Sequence, residues 1–380
     1  MQSTLGDATS DLLDVCRRLS EVAAAAGHED RLVSLVKAHL EAVGLRPRVD
    51  RLGQVAVRLG PQDAAGPTVL VSAHLDELGL VVRGVDDDGM VRVHRLGGMP
   101  ERVLPGLTLN IHTREGDIPA VVGLESHHLT PPELKYVAKP VTDLYLDIGG
   151  SSRRQVQSMG VRVGDPITYR PQWSVLGNDR FSGKALDDRL GVAALLALVD
   201  RLLAEPPKQP VIVGFTTQEE FHVRGALALV AHYQPDIVVN VDVAPSPDTP
   251  DLRGVGAAAL GGGPTLSRLS FHGRGTLGGL IPHPALVGAV EDSAAAAAVN
   301  LQYDAMVGVI TDAAFVPMSN AEGVAAVGVG IPVRYTHTPI ETAQMSDVRG
   351  CVELLAALMP QLVRTDLSRG TTQVSNGGVA

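Results

Sequence analysis

The sequence predicts an α/β protein whose single sheet is interrupted by an inserted β-rich segment, and three observations support this. The chain has 380 residues, which leaves room for two domains or for one large domain with an insertion. Apolar strand-like runs alternate with helical patterns near both ends of the chain. Short alternating segments separated by Gly, Pro and Asp clusters fill the middle. We therefore expect a discontinuous α/β domain over 1–77 and 173–366, an inserted β-rich domain over 78–172, and a frayed tail over 367–380.

The N-terminal part of the chain predicts two helices, a hairpin and a strand. Apolar residues recur at helical spacing over 12–19 and 32–40, and the second helix is expected to end near Gly44. Residues 46–60 alternate like an edge hairpin. The continuous apolar run 67–73 is typical of a buried central strand.

The later elements follow the same logic. Within the insertion, strands are expected over 80–85, 90–96, 107–113 and 120–123. Beyond the insertion, helices are expected after Lys184 and over 224–232, 291–299 (an Ala-rich segment) and 345–363. The strands expected between them cover 210–215, 237–243, 304–310 and 324–329.

Composition excludes several classes of protein. Lys and Arg number 32 against 42 Asp and Glu, a net charge of −10, which disfavours a nucleic-acid partner. Aromatic residues reach only 3% while hydrophobic residues reach 45%, so the core is expected to be aliphatic. No apolar run approaches the ~20 residues of a membrane span. With only Cys16 and Cys351, a disulfide framework is excluded, and we expect a cytoplasmic protein with no membrane partner.

Acidic and His residues follow the predicted strands, where ligands bind in open α/β sheets. His74 ends the strand at 67–73, and Asp76 lies two residues on, where it would face the same way and orient the imidazole. A lone His at such a place is more often structural. Asp187 and Asp188 begin a predicted helix, where one acid suits the helix dipole and two suggest a nearby cation.

Two further strand ends carry carboxylates, and a third carries a His. Glu219 and Glu220 follow the strand at 210–215, so one can bind a metal while the other moves protons, although a solvated pair fits equally well. Asp242 lies within an apolar strand, where an unpaired carboxylate is costly. His337 follows the last strand. Such mixed N/O donors suit Zn²⁺, Co²⁺ or Mn²⁺, and the set indicates a hydrolase with two metal ions.

In these motifs the chain resembles the M42 family of metallo-aminopeptidases. The resemblance covers about 10–364, with the motifs in the family's order. The matching strings are SAHLDELG at 72–79, GKALDDRLG at 183–191, QEE at 218–220 with RGA at 224–226, VDV at 241–243 and RYTHTPIE at 334–341. Shorter matches are DIGGSS at 147–152, GGGP at 261–264 and TDA at 311–313.

The resemblance implies a ligand set for two divalent metal ions, with Zn²⁺ or Co²⁺ favoured over Mn²⁺. Asp187 would bridge them, His74 and Glu220 would complete one site, and Asp242 and His337 the other. The fold implied is a mixed, mostly parallel sheet flanked by helices, of the zinc-peptidase type.

The same resemblance implies the reaction. Glu219 would be the general base acting on a metal-bridging hydroxide, Asp76 would support His74, and the Asp187–Asp188 peptide would be cis. The substrates implied are short peptides, from which N-terminal residues would be hydrolysed. The inserted domain would be a dimerisation domain, and the dimers would assemble into a homododecamer.

The chain departs from the family's pattern after the Glu pair, where Phe221 and His222 replace an apolar residue and Gly. His222 is a candidate for substrate binding, but we expect it to pack beside the last strand instead. Arg334 is a second candidate. Thr338 stands where Ser is common.

Other functions fit the residues less well. A GxGxxG string at 273–278 suggests a dinucleotide-binding oxidoreductase. That motif needs a helix to start within it, and Pro282 and Pro284 prevent such a helix. Adjacent Glu residues and a single Trp argue against a glycosidase. A non-catalytic metal-storage protein would not need the spare Glu219. A deacylase or carboxypeptidase acting on N-acyl amino acids or dipeptides would use the same chemistry, so it stays open as the alternative.

Overall fold

We describe the chain from a computed structural model, which covers residues 11–62, 66–273 and 277–369. The helices are α1 (Leu12–Glu21), α2 (Asp30–Ala42), α3 (Arg153–Ser158), α4 (Leu186–Ala204), α5 (Gly225–Tyr233), α6 (Pro284–Ala296) and α7 (Met345–Leu362). The first nine strands are β1 (Arg48–Val49), β2 (Val55–Leu59), β3 (Val69–His74), β4 (Gly79–Val85), β5 (Val91–Leu96), β6 (Thr108–Thr113), β7 (Gly116–Val122), β8 (Tyr145–Asp147) and β9 (Pro166–Tyr169). The other nine are β10 (Trp173–Leu176), β11 (Arg180–Gly183), β12 (Val211–Thr216), β13 (Ile237–Pro245), β14 (Thr265–Phe271), β15 (Gly279–Leu280), β16 (Gln302–Val307), β17 (Ala325–Arg334) and β18 (Glu341–Gln344).

A mixed sheet forms the frame of the molecule. Its main path runs β1-β2-β12-β3-β13-β17-β18-β11-β10, and β14 joins β17 and carries β15 and β16. The four central strands β12, β3, β13 and β17 are parallel and buried on both faces, which explains their continuous apolar runs. Helices α1, α2, α4, α6 and α7 share one core with the sheet, while α5 packs into a second core on the opposite face.

The inserted segment folds into a closed barrel of six strands. Their order is β4-β5-β8-β7-β6-β9, and a separate apolar core fills the interior. The predicted α/β class with a β-rich insertion is therefore confirmed. The domain boundaries at 77/78 and 172/173 stay a prediction, as does the tail over 367–380, of which 370–380 lies outside the described residues.

Most of the predicted elements are present, with differences at their ends. The predicted Ala-rich segment belongs to a helix that begins at Pro284, since proline suits the first turn of a helix. The helix ends earlier than expected, at Ala296, and Ala298 has a left-handed backbone. The GxGxxG segment lies partly outside the described residues, and 279–280 form β15, so the nearest helix starts only at Pro284. Both cysteines are buried and free. None of the helices described is long and apolar enough to cross a membrane.

Candidate metal centre and active site

The candidate site forms where the parallel strands end. In the sheet, β3 lies between β12 and β13, so their carboxyl ends meet at one edge. His74 is the last residue of β3, Asp242 lies near the end of β13, and the Glu219–Glu220 turn follows β12. The predicted convergence of these residues is found, because neighbouring parallel strands bring their ends together.

Two groups of three side chains have the spacing of metal ligands. One contains His74, Asp187 and Asp242, and the other contains Asp187, Glu220 and His337; in each, the donor atoms lie within 4.8 Å of one another. Asp187 belongs to both groups, since its Oδ1 lies 3.0 Å from His74 Nε2 and its Oδ2 lies 3.5 Å from His337 Nε2.

The expected division of the ligands between the two groups is wrong. His74 shares a group with Asp242, not with Glu220, and His337 shares one with Glu220. The reason is the order of the sheet: β3 and β13 are neighbours, so His74 and Asp242 stand side by side at their ends. Glu220 instead belongs to the turn after β12. This turn faces the loop after β17, which carries His337.

Asp187 and Asp188 point in different directions although they are adjacent. The peptide bond between them is cis, as the resemblance implied, and both have non-helical backbone angles at the start of α4. The amide of Asp187 donates to Glu341 Oε2 at 3.1 Å. The carboxylate of Asp188 accepts from the amides of Gly191 and His74. The Asp188 carboxylate is thus engaged by main-chain amides, while the Asp187 carboxylate is available to both ligand groups.

Asp76 supports the site through different atoms from those expected. His74 Nδ1 lies 3.0 Å from the main-chain carbonyl oxygen of Asp76, whereas the nearest carboxylate oxygen is 3.7 Å away. The Asp76 carboxylate instead accepts the amides of Glu219 and Glu220, each at 2.9 Å. A single residue thus orients the imidazole and fixes the turn that carries both glutamates.

Crowding of acids in a buried place changes their protonation. Burial raises the pKa of Glu220 to about 7 and that of Asp242 to about 8. Burial also raises the pKa of Glu219 well above its ordinary value. For His337, burial opposes the charged form, but the nearby Glu220 and Asp187 outweigh it and raise the pKa to about 10. The site is therefore a concentration of negative charge that only protons or cations can balance.

The two groups open on a cavity of about 950 Å³. Glu219 also lines this cavity and belongs to neither ligand group. The remaining wall includes Phe221, His222, Val309 and Ile310. A cavity of this size fits several residues of a peptide beside the acidic cluster.

The expectation that His222 packs beside the last strand is wrong. His222 is exposed and lines the cavity, its backbone is left-handed, and its ring contacts that of Phe221. Arg334, the other substrate-binding candidate, does not line the cavity. It forms a two-pronged ion pair with Asp248, at 2.7 and 2.6 Å, so its guanidinium is used within the fold.

Sequence reasoning missed several supporting residues. Glu341 is buried and accepts the amides of both Asp187 and His337, which joins the bridging position to the second His. Glu29 accepts the amide of Gln218, beside the Glu pair. Glu341 could have been predicted from the sequence, because it lies four residues after His337 in a string that matches the family. Glu29 lies in no such string.

The chain is similar to known aminopeptidases in sequence and in fold. A family model described as M42 glutamyl aminopeptidase matches residues 53–354. The putative aminopeptidase SgcX of Escherichia coli K12 is 32% identical over 335 residues, which cover 88% of this chain and 90% of that protein. A solved aminopeptidase from the archaeon Desulfurococcus kamchatkensis is 29% identical, with a TM-score of 0.86 over 95% of this chain and 98% of its own. The TET1 peptidase of Pyrococcus horikoshii, which can assemble into a tetrahedron or a large octahedral shell, is 27% identical, with a TM-score of 0.80 over 92% and 99%.

Proposed function

The chain belongs to the M42 glutamyl aminopeptidase family and is a peptide-bond hydrolase, and from this premise we propose that it is a dinuclear metallo-aminopeptidase acting on short peptides. One observation carries the proposal. Two groups of ligand side chains share Asp187, while a further buried carboxylate, Glu219, faces the same cavity and belongs to neither group.

The donor set fits two divalent cations. Each group offers one imidazole nitrogen and two carboxylates, and such mixed N/O donors suit Zn²⁺, Co²⁺ or Mn²⁺ rather than Ca²⁺. Burial without cations makes these acids costly, as the raised pKa values of Glu220 and Asp242 indicate. We assign His74, Asp187 and Asp242 to one ion and Asp187, Glu220 and His337 to the other. Bound there, the ions would supply Lewis acidity, which polarises a carbonyl group and makes water more acidic.

Glu219 is the residue we assign to proton transfer. Its carboxylate is buried beside the ligands, and its amide is fixed by Asp76 Oδ1 at 2.9 Å. It would take a proton from the attacking water and return that proton to the leaving amine. Asp76 would act as a positioning residue, since it holds the Glu219–Glu220 turn and gives a carbonyl acceptor to His74.

Substitution of Glu219 tests the proposal. Glu219→Gln keeps the size of the side chain and both ligand groups, so it should retain two metal ions per chain, measured by atomic emission. Hydrolysis of aminoacyl-p-nitroanilides should fall about 10²- to 10⁴-fold, because the proton acceptor is lost. The matched control is Glu205→Gln, at an exposed site after α4, which should leave turnover unchanged. Unchanged turnover in the Glu219 variant would refute the role.

A second comparison separates an aminopeptidase from a deacylase. Substrates with a free amino terminus should be cleaved, whereas their N-acetylated analogues should not. A preference for the acetylated analogues would replace the proposal with a deacylase that uses the same residues.

We also propose that the chain assembles with copies of itself through the barrel. The connection between β7 and β8, residues 123–144, exposes apolar side chains to an unusual degree: Leu129 is 84% and Tyr136 is 93% exposed. Such exposed apolar side chains are typical of contact surfaces. The TET1 peptidase, a relative of the same fold, forms closed shells, and we extend this type of assembly to the present chain, with dimers building a dodecamer.

A further inference from the structure

The turn that carries Glu219 and Glu220 goes on into a strained stretch of backbone. The angle φ is +73° at His222 and +47° at Val223. Both values lie in the left-handed region, which glycine adopts freely and which a residue with a Cβ adopts at a cost, above all a β-branched one such as valine. Strained backbone of this kind is kept only where the surrounding structure holds it, and it is concentrated at functional sites.

Hydrogen bonds hold this turn in one shape. The amide of Val223 donates to the carbonyl oxygen of Glu219 at 2.8 Å, and the amide of Glu219 donates to Asp76 Oδ1 at 2.9 Å. Three Cα–Cα steps of about 3.8 Å separate Glu219 from His222, so their Cα atoms lie no more than about 11 Å apart. His222 is therefore held at a fixed, short distance from the carboxylate that we assign to proton transfer.

The His222 side chain has hydrogen-bonding capacity that the fold does not use. It is exposed and lines the main cavity, as Glu219 does. Its ring contacts Phe221 edge to face, with 5.4 Å between the ring centroids, and the guanidinium of Arg224 lies 4.8 Å from the centroid of the same Phe221 ring. Over 11–62, 66–273 and 277–369, its two ring nitrogens have no hydrogen-bond or ion-pair partner. Since either neutral tautomer carries one N–H group, the ring presents a donor to the cavity.

The other basic side chains of the cavity wall are less free. Arg95, on the barrel side, pairs with Glu101 at 3.1 Å, and His337 belongs to a ligand group. His272 has a buried Nδ1 atom, which leaves at most one ring nitrogen for the cavity. A cavity of about 950 Å³ has room for a short peptide that reaches from the ligand groups to His222.

The proposed reaction brings the leaving part of the substrate to this turn. When Glu219 returns its proton, the leaving amine nitrogen must lie within about 2.6–3.2 Å of the carboxylate. The carbonyl carbon of the residue that carries this nitrogen is about 2.5 Å further on, and its oxygen accepts a hydrogen bond at about 2.9 Å. One amino-acid residue thus spans the space between two side chains of the same turn, with its nitrogen at Glu219 and its carbonyl oxygen at His222.

We propose that His222 binds the leaving part of the substrate, by donating a hydrogen bond to the main-chain oxygen of the residue after the scissile bond. The acceptor is a peptide carbonyl in a longer substrate and the terminal carboxylate in a dipeptide. The inference rests on the proposed function, because it takes Glu219 to protonate the leaving amine. His222 is then a specificity residue, which favours peptides over substrates whose leaving group is not an amino acid.

Leucyl-glycyl-glycine and leucyl-p-nitroanilide are a matched pair of substrates, because only the peptide has a main-chain oxygen after the scissile bond. We would compare kcat/KM for the two on the metal-loaded wild-type chain and on His222→Gly, by measuring the leucine released. His222→Gly should lower the value for the peptide about three- to tenfold, the range expected for the loss of one hydrogen bond. The value for the anilide should change less than about twofold, since it does not make this contact.

Further measurements separate a lost contact from a lost structure. Glycine suits the left-handed backbone at position 222, so His222→Gly should unfold at the same temperature as the wild type or at a higher one. His222→Gln keeps an N–H donor and should keep the peptide-to-anilide ratio within about twofold of the wild type. His232→Ala is the matched control, because His232 is exposed on α5, contacts the ring of Tyr233 and lies outside the cavity wall; it should change neither value.

The inference and the proposed function fail in different ways. A peptide-to-anilide ratio that is unchanged or higher in His222→Gly would overturn the inference and leave the aminopeptidase intact, and so would a His222→Gln variant as impaired as His222→Gly. A His222→Gly chain that unfolds well below the wild type and loses both activities equally would show a structural role and overturn the inference as well. If the wild-type chain cleaved neither substrate, the proposed function would fail and the inference with it.

Discussion

At the scale of single residues, the two adjacent pairs of acidic residues show that neighbouring side chains can have different roles. Glu220 joins a ligand group with His337, while Glu219 lies outside both groups. Asp187 serves both groups, while Asp188 accepts two amides. In each pair the backbone turns between the two residues, so the side chains leave in different directions. Two carboxylates adjacent in sequence therefore need not have the same role.

Metal affinity should depend on pH, since protons compete for the same ligands. In the metal-free chain, burial raises the pKa of Glu220 to about 7 and that of Asp242 to about 8, and His337 keeps its proton up to about pH 10. Below these values a cation must displace protons, so affinity should fall as the pH is lowered from 8.5 to 6.5. Calorimetry in buffers of different ionisation enthalpy would measure the protons released.

The control for that experiment is Asp242→Asn, which should release fewer protons and bind one of the two ions more weakly. An affinity that does not change between pH 6.5 and 8.5 would show that the site is already deprotonated when empty.

At the scale of elements, a buried ion pair holds the segment after β3 against the entrance to α4. Lys184 is fully buried, and its Nζ lies 2.7 and 2.6 Å from the two carboxylate oxygens of Glu77. Arg189 approaches the same carboxylate at 3.5 Å and donates to the carbonyl of Leu19 in α1. His74 and Asp187 lie three residues from the members of this pair, so the pair fixes the distance between two ligand-bearing segments.

Breaking this pair should be costly. Lys184→Met leaves Glu77 charged and buried, and we expect a loss of about 3–5 kcal/mol in the free energy of unfolding, measured with denaturant. The matched control is Arg268→Met, which breaks the exposed Arg268–Glu291 pair and should cost no more than about 1 kcal/mol. Equal losses in the two variants would mean that the buried pair does not hold the segments.

At the scale of the whole molecule, the sheet domain and the barrel have separate cores and different roles. The sheet and its helices build the ligand groups, whereas the barrel closes on its own apolar interior and takes part at the site mainly through its edge. One such contact is the carbonyl of Gly98, 3.2 Å from His337 Nδ1. The barrel also carries the exposed apolar connection between β7 and β8, which we assign to self-association.

Charges placed on this connection should weaken assembly. Leu129→Asp combined with Tyr136→Asp should shift the mass distribution toward smaller species, measured by sedimentation velocity, because a charged group is expensive to bury in an apolar contact. Val255→Asp, at an exposed apolar site outside the barrel, is the control and should not change the distribution. An unchanged distribution in the double variant would place the contact elsewhere.

Much of the fold was predictable because its signals are local. The apolar run ending at His74 predicted the central strand, and alternating short segments predicted four of the six barrel strands, whereas β8 and β9 were not predicted. The short or half-exposed strands β14, β15 and β18 were missed, since each has few residues or a mixed pattern.

By itself, the sequence predicted His74, Asp187, Glu220, Asp242 and His337 as candidate metal ligands, and the structure brings all five together. Only the tertiary structure decided how these five side chains divide into two groups and which atoms of Asp76 support them. The physical reason is that strand order and register join residues far apart in the chain. Local patterns set where an element ends, but not which neighbour it meets.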